Sequence, residues 1–449
     1  MYRTDDAAWE AILERQRSPS PRARFRQTWN AFRRLWPLWA TLLVAVVVVA
    51  GWRYATANET RLYALSATDG QVRWSSALPE GTEEISIPAA SGGRVIILTE
   101  NGRSNPTGED NWQVSAFDAA SGQALWQQTP TSAAAQLGHG LSFLPHVAPF
   151  TTHDHAFLVA AWSRSRDVDL AVFEMSSGRL VRTAPATRLG DHPTLTPMTA
   201  AAGRILVSTL DDRGLRLVVL DEGDWTERWS IPLDDTALGE ARSGPFFAAT
   251  SELVYVVQGR GVVAYDAAMG AARFELDERP DDATRQLTIV GDTLYRLTGR
   301  DTIVAYDVAT GRRRWTYTRP LAGDGGLLES FSVADGTLIA YCACHNGDLQ
   351  KFGAIIALDA IDGRMRWQQV VDQQHAIFFD HPVLIDGLVI TPDDDDMLVA
   401  RSTADGSMRW RLPRAVGRGP AAAGALVFAT DLKPRWRHWV APLGIPWRS

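Results

Sequence analysis

Two short clusters in this 449-residue chain carry side chains that coordinate metals or exchange electrons, His153-Asp-His155 and Cys342-Ala-Cys344-His345. Imidazole nitrogen and thiolate sulfur are the common zinc ligands. Neither spacing reproduces a zinc pattern, so His153, His155, Cys342, Cys344 and His345 are better read as surface or channel-lining residues than as a metal centre. Cys342-Ala-Cys344-His345 is also one residue short of a c-type haem attachment sequence. The acidic run Asp393-Asp-Asp-Asp396 has the oxygen ligands that Ca²⁺ prefers, but it fits a solvated turn better. His139, His146, His192, His375 and His381 fall in long connections or at the start of short strands, while His438 stands apart. No nucleophile elbow, His-Glu-x-x-His helix or phosphate loop is present, and no catalytic set is assigned.

These residues must be held by a repeated element. Its clearest copy is Ile303-Val-Ala-Tyr-Asp-Val-Ala-Thr-Gly-Arg-Arg-Arg-Trp315. β-formers lead to Asp307, whose side chain can bond turn amides, and Gly311 accepts the positive φ that closes a short hairpin loop. With Gly four and Trp eight residues after the Asp, the pattern recurs eight times. It starts at Ser66, Asp118, Glu174, Asp221, Asp266, Asp307, Asp359 and Ser402. The Gly position holds Gly70, Gly122, Gly178, Gly270, Gly311, Gly363 and Gly406, with Trp225 as the exception. The Trp position holds Trp74, Trp126, Trp229, Trp315, Trp367 and Trp410, with Phe274 and Arg182 as variants. A strand such as Leu253–Val257 or Leu338–Tyr341 precedes each copy, and a proline-led segment precedes most of those strands. Four strands per unit of about 40–55 residues predict an all-β propeller.

The pattern of Pro, then Gly-x-Leu-Val-Tyr, then Leu-x-Ala-Leu-Asp-x-x-x-Gly-x-x-x-Trp resembles the PQQ-like eight-bladed β-propeller repeat family. That family includes quinoprotein dehydrogenases and BamB-like proteins of outer-membrane assembly. The resemblance covers residues 58–449 and implies four-stranded blades packed through the Trp and Gly positions. In the dehydrogenases it also implies a disulfide of adjacent cysteines over PQQ, with Ca²⁺ and an Asp base. Here Ala343 separates the only two cysteines, which puts that site in doubt.

Both ends of the repeat region are partial. Arg61 to Trp74 supplies the last two strands of a unit, and Gly419 to Thr430 supplies the first two, so joining them should complete an eighth blade and remove an open sheet edge. Three stretches exceed the repeat, Asn101–Asn111, Gln127–His155 and Ala343–Gly353, and are expected as loops on one side of the disc.

Residues 1–34 hold eight Arg and four acidic residues, a net charge of +4, against −7 for the whole chain and therefore −11 for the remainder. This segment is expected to be a cytoplasmic basic tail. Leu35 to Trp52 has no charged residue, and as a helix it would span about 27 Å. Trp36, Trp39, Trp52 and Tyr54 flank it as interfacial rings. A membrane anchor is expected at 35–54, N-terminus inside, although Ala55-Thr-Ala57 also has the form of a signal-peptide cleavage site. No Cys lies near it for a lipid anchor. The acidic remainder lacks a basic stripe and argues against nucleic acid. The reading is an extracytoplasmic propeller at the cytoplasmic membrane, binding envelope proteins. A PQQ- or metal-dependent oxidoreductase is the alternative.

Overall fold

The computed structural model describes residues 60–430, apart from 80–81, 86–87, 102–111, 129–140, 144–149, 152–154, 163–167, 187–198, 212–213, 225, 234–246, 260, 277–283, 321–326, 346–350, 373–381, 393–396 and 416–419. All of these described residues belong to the unit that starts at Thr60. The expected tail and anchor, residues 1–34 and 35–54, lie outside them, and among the described residues no helix is long and apolar enough to cross a membrane.

Eight antiparallel sheets follow one another, each built on the same four-strand plan. Sheet 1 joins Arg61–Ser66 and Val72–Ala77 to Leu426–Thr430 and Ala421–Ala423. Sheets 2 to 5 occupy residues 82–128, 141–186, 199–232 and 247–275. Sheet 6 orders Thr284–Val290, Thr293–Thr298, Thr302–Asp307 and Arg313–Thr318. Sheet 7 orders Leu327–Ala334, Thr337–His345, Lys351–Asp359 and Met365–Asp372, and sheet 8 runs from Val383 to Ala415. First strands of successive sheets touch from sheet 4 onward to sheet 8, and on through sheet 1 to sheets 2 and 3. The first strand is divided in sheets 2 and 3, where two short pieces pair with the same second strand.

The repeat turn forms in all eight sheets. The N–H of each Gly position that is glycine donates to the carbonyl of the residue four before it, at 2.8–2.9 Å, and the same residue's N–H closes the loop at 2.7–2.9 Å. Gly311 has φ 65° and Gly363 φ 74°, which a glycine reaches at little cost. Just beyond each turn the register slips by one residue, always at the position before the Trp. This β-bulge turns an Arg out of the ladder in six of the eight sheets, as with Arg314 between Arg313 and Trp315. Arg314 reaches back to Asp307 at 2.7 Å and Arg366 to Asp359 at 2.7 Å, while Arg228 and Arg273 pair with Asp221 and Asp266. The remaining Asp oxygen accepts from the turn amides, as Asp307 Oδ1 does from Thr310 N–H at 2.9 Å.

The Trp after the bulge sits opposite a small residue in most sheets, Ala305 facing Trp315 and Ala357 facing Trp367. Each indole then crosses to the next sheet and donates to the carbonyl just after its Asp position. The pairs are Trp74 to Ala119, Trp126 to Met175, Trp229 to Ala267, Trp315 to Ala360, Trp367 to Thr403 and Trp410 to Ala67, at 2.7–3.1 Å. The ring covers the glycine there so closely that a Cβ on Gly363 would stand 2.5 Å from Trp315. Between the sheets, aliphatic side chains, mostly from the second and third strands, form continuous clusters, such as Leu297, Ile303, Leu338 and Ile356 with Leu328 of a first strand.

Candidate functional site

The chemistry-bearing residues separate along the strands. His155 opens the second strand of sheet 3 and pairs with Glu174, so it stands at the end where the Asp–Gly turns lie. Cys342, Cys344 and His345 close the second strand of sheet 7, with His345 opposite Lys351 at the other end. His153, His139, His146, His192, His375, His381, His438 and Asp393–Asp396 lie outside the described residues. His155 and the Cys342–His345 stretch therefore occupy opposite strand ends in non-adjacent sheets.

Two of the three expected insertions prove to contain strand. Ala343–His345 pairs with Lys351–Gly353, leaving 346–350 as the connection, because alternating β-formers such as Cys344 and Phe352 extend the hairpin. Residues 141–143 and 150–151 inside the Gln127–His155 stretch supply the divided first strand of sheet 3.

Cys342 is disulfide-bonded, and with two cysteines in the chain its partner is Cys344. While that bond is closed, neither sulfur is a free thiolate of the kind that ligates a metal. Among the described residues, no three His, Cys, Asp or Glu side chains gather to hold an ion.

Around the disulfide, sheets 6 and 7 bring together a set of polar groups that the repeat does not explain. The first strand of each sheet carries its own bulge, Arg285 in sheet 6 and Glu329 in sheet 7, where the pairing register skips one residue. The two bulged residues meet, Arg285 Nη2 lying 3.3 Å from Glu329 Oε2, and Arg285 Nη1 also donates to the Leu328 carbonyl. Leu328 is the residue paired with Cys342. Burial holds the Arg285 guanidinium below its ordinary range, and Glu329 opposes that shift. Gln286 presents its amide to Phe331 like a strand backbone, accepting from its N–H at 3.0 Å and donating to its carbonyl at 2.8 Å. Leu328 N–H donates to the Arg300 carbonyl at 2.7 Å, which ties the turn of sheet 6 to the first strand of sheet 7. Arg296, 1 % exposed, donates to Thr284 Oγ1 at 2.6 Å, and burial pushes its guanidinium down to about 10.

Sequence reasoning missed the bulged pair, because a bulge depends on the register against a partner strand. An arginine precedes five of the six Trp positions, as Arg73, Arg228, Arg314, Arg366 and Arg409, and Arg273 precedes Phe274; these were the legible signal for the repeat bulges.

The repeat machinery now accounts for the Asp, Arg, Trp and Gly positions together. The chain belongs to the PQQ-like family described as outer membrane protein assembly factor BamB. The family pattern matches residues 3–181, 110–343 and 323–431. No curated protein sequence matches the chain. Among solved structures it is similar to BamB from Moraxella catarrhalis, at 14% identity and a TM-score of 0.48, over 82% of this chain and 91% of that one. It is also similar to quinohemoprotein alcohol dehydrogenase ADHIIG from Pseudomonas putida HK5, at 13% identity and a TM-score of 0.54, over 81% and 77%. The enzyme of the same name from Comamonas testosteroni aligns at 11% identity and a TM-score of 0.51, over 84% and 77%. At such identities the two dehydrogenases speak for the propeller fold alone.

Proposed function

We propose that this protein is a membrane-anchored, eight-bladed propeller that presents a protein-interaction surface in the cell envelope. Membership of the family described as an outer membrane assembly factor carries this reading. The blade count is supported by the eight sheets and by Trp410, whose indole donates to the Ala67 carbonyl of sheet 1 across 343 residues of sequence. The anchor at 35–54 and the export of residues 58–449 rest on the charge-free run and on the arginines ahead of it. The partners are envelope proteins, and nucleic acid is not among them.

Photo-crosslinking from the propeller in intact cells tests the scaffold, with exported or membrane proteins expected as adducts. Exclusively cytoplasmic adducts would overturn it. Protease added to spheroplasts should cut beyond residue 60 and spare an N-terminal tag. A protected propeller would reverse the orientation, and a lost tag would make residues 1–57 a cleaved signal.

The second reading, an oxidoreductase using PQQ or Ca²⁺, is favoured by the disulfide at Cys342 beside a partly buried ion pair. The carboxylate next to it, Glu329, is already held by Arg285, so a Ca²⁺ ion there would require that pair to break. Absorbance and metal analysis of the purified protein distinguish the two: a bound quinone or stoichiometric Ca²⁺ supports the enzyme.

A further inference from the structure

We infer that the fourth strand of sheet 7, Met365–Asp372, is a dimerisation edge that pairs antiparallel with the same strand of a second copy of this chain. In every sheet the fourth strand is outermost, and among the described residues it pairs with the third strand alone. Its outward N–H and C=O groups can therefore accept a further strand unless something blocks them. Most of these edges are blocked. Pro185, Pro232 and Pro413 interrupt or end the outer strands of sheets 3, 4 and 8, and that of sheet 5 is four residues long. Arg313 and Arg314 open the outer strand of sheet 6, Arg73 lies in that of sheet 1, and that of sheet 2 has only five residues. The strand of sheet 7 has eight residues, with no proline and no charge from Trp367 to Val370.

The same edge is apolar where it meets solvent. Eight large hydrophobic side chains are exposed among the described residues, and three of them, Ile361, Met365 and Val370, lie in this strand or in the turn before it. Val370 is 61 % exposed. Met365, Gln368 and Val370 pair with Leu358, Ile356 and Ala354, alternate residues of the third strand, so they share one side of the sheet.

Charge and symmetry favour a second copy as the occupant. The chain carries a net charge of −7, so two copies repel on approach. Along Trp367–Val370 there is no charge to oppose its twin. The flanking charges are already paired within each copy, Arg366 with Asp359 at 2.7 Å and Arg364 with Asp362 at 3.5 Å. A two-fold axis through Gln369 keeps the sides of the two sheets matched, and it sets Gln368 of each copy opposite Val370 of the other. Such a contact uses up the edge on both copies, so it closes as a dimer and does not grow into a fibre. The other eight-residue outer strand, Met408–Ala415 of sheet 8, holds Arg409, Arg411 and Pro413, which favours like strands pairing over an exchange between sheets 7 and 8. One strand pair is a small interface, so the dimer belongs to the weak class that forms at about 10–100 µM.

The test uses full-length protein purified in mild detergent. Sedimentation velocity across that concentration range should show a concentration-dependent dimer. In Gln368→Lys/Val370→Lys each new lysine faces one of the second copy, and the dimer should weaken about tenfold or more. Both positions are exposed, so the melting temperature should match that of wild type. Mixing this variant with Gln368→Glu/Val370→Glu should restore the dimer as a heterodimer. For the register, Gln369→Cys should form an intermolecular disulfide under oxidised glutathione, since facing residues stand about 4.5–5.5 Å apart at the Cα atoms. Thr316→Cys, exposed on the outer strand of sheet 6, should not. A monomer throughout the range, growth beyond a dimer, a dimer that the lysines leave unchanged, or equal crosslinking at the two cysteines would overturn the proposal. If the lysine variant fails to fold, the two cysteine variants decide.

Discussion

Asp307 divides its carboxylate between Thr310, which it caps, and the bulged Arg314. The hydrogen bond from Arg314 and then that from Thr310 hold its carboxyl down to about 2, from an ordinary 3.8. Because the folded-state value is the lower one, the stabilisation is complete above the ordinary value and fades as pH falls from about 4 toward 2. Asp307→Asn should therefore melt below wild type at pH 6, and the two melting temperatures should converge near pH 2. A gap that stays constant across that range would show that the carboxylate charge is not involved. A second residue-scale test concerns Phe274, which occupies a Trp position but has no N–H. The carbonyl that an indole would serve, that of Val308, instead accepts from the Tyr255 hydroxyl, and burial keeps that hydroxyl protonated well above the ordinary 10. In the next sheet, Tyr295 and Trp315 both donate to the Ala360 carbonyl, at 3.2 and 3.1 Å. Tyr255→Phe should thus cost about 1–3 kcal/mol and Tyr295→Phe about 0.5–1.5 kcal/mol in urea unfolding, since only the first leaves a partly buried carbonyl without a side-chain donor. Equal losses would contradict the substitution of Tyr255 for the missing indole.

At the scale of the strand and turn, the glycines divide by what lies above them. Gly336 and Gly363 share a left-handed backbone, φ 69° and 74°. Gly336 has nothing within 4 Å of a Cβ, whereas Gly363 lies beneath Trp315. Gly336→Ala should cost about 1 kcal/mol, the penalty of a side chain in this region. Gly363→Ala should add about 1–3 kcal/mol for displacing the indole. Chemical denaturation of the two variants checks this, and similar midpoints would mean that the Trp–Gly contact yields freely.

For the molecule as a whole, sheet 1 is the joint between the two ends of the repeat region. Leu62–Ser66 pairs with Leu426–Thr430, and Trp410 packs against Gly70 from the other side. Deleting residues 419–449 removes two of the four strands and exposes Arg61–Ser66 as an unpaired edge beside an apolar cluster of Leu62, Ala64 and Ile97. The truncated protein should melt lower and self-associate in size-exclusion chromatography. A monomer with an unchanged melting temperature would show that the remaining sheets hold without this joint.

The turn chemistry was legible in the sequence because it is local. Asp307 and Gly311 are four residues apart and determine each other's geometry within one hairpin, and six further copies keep the glycine. The half-units at 61–74 and 419–430 were legible for the same reason, since an incomplete repeat implies its complement. What each Trp touches required tertiary structure, because its carbonyl and glycine belong to the following sheet, 36 residues on for Trp367 and 49 for Trp126. The exchange of Trp for the Tyr255–Phe274 pair, the meeting of Arg285 with Glu329, and the bond at Cys342 were invisible for a related reason. Each depends on strand register and on which sheets are neighbours, and these are decided by packing between sheets rather than by any stretch of residues.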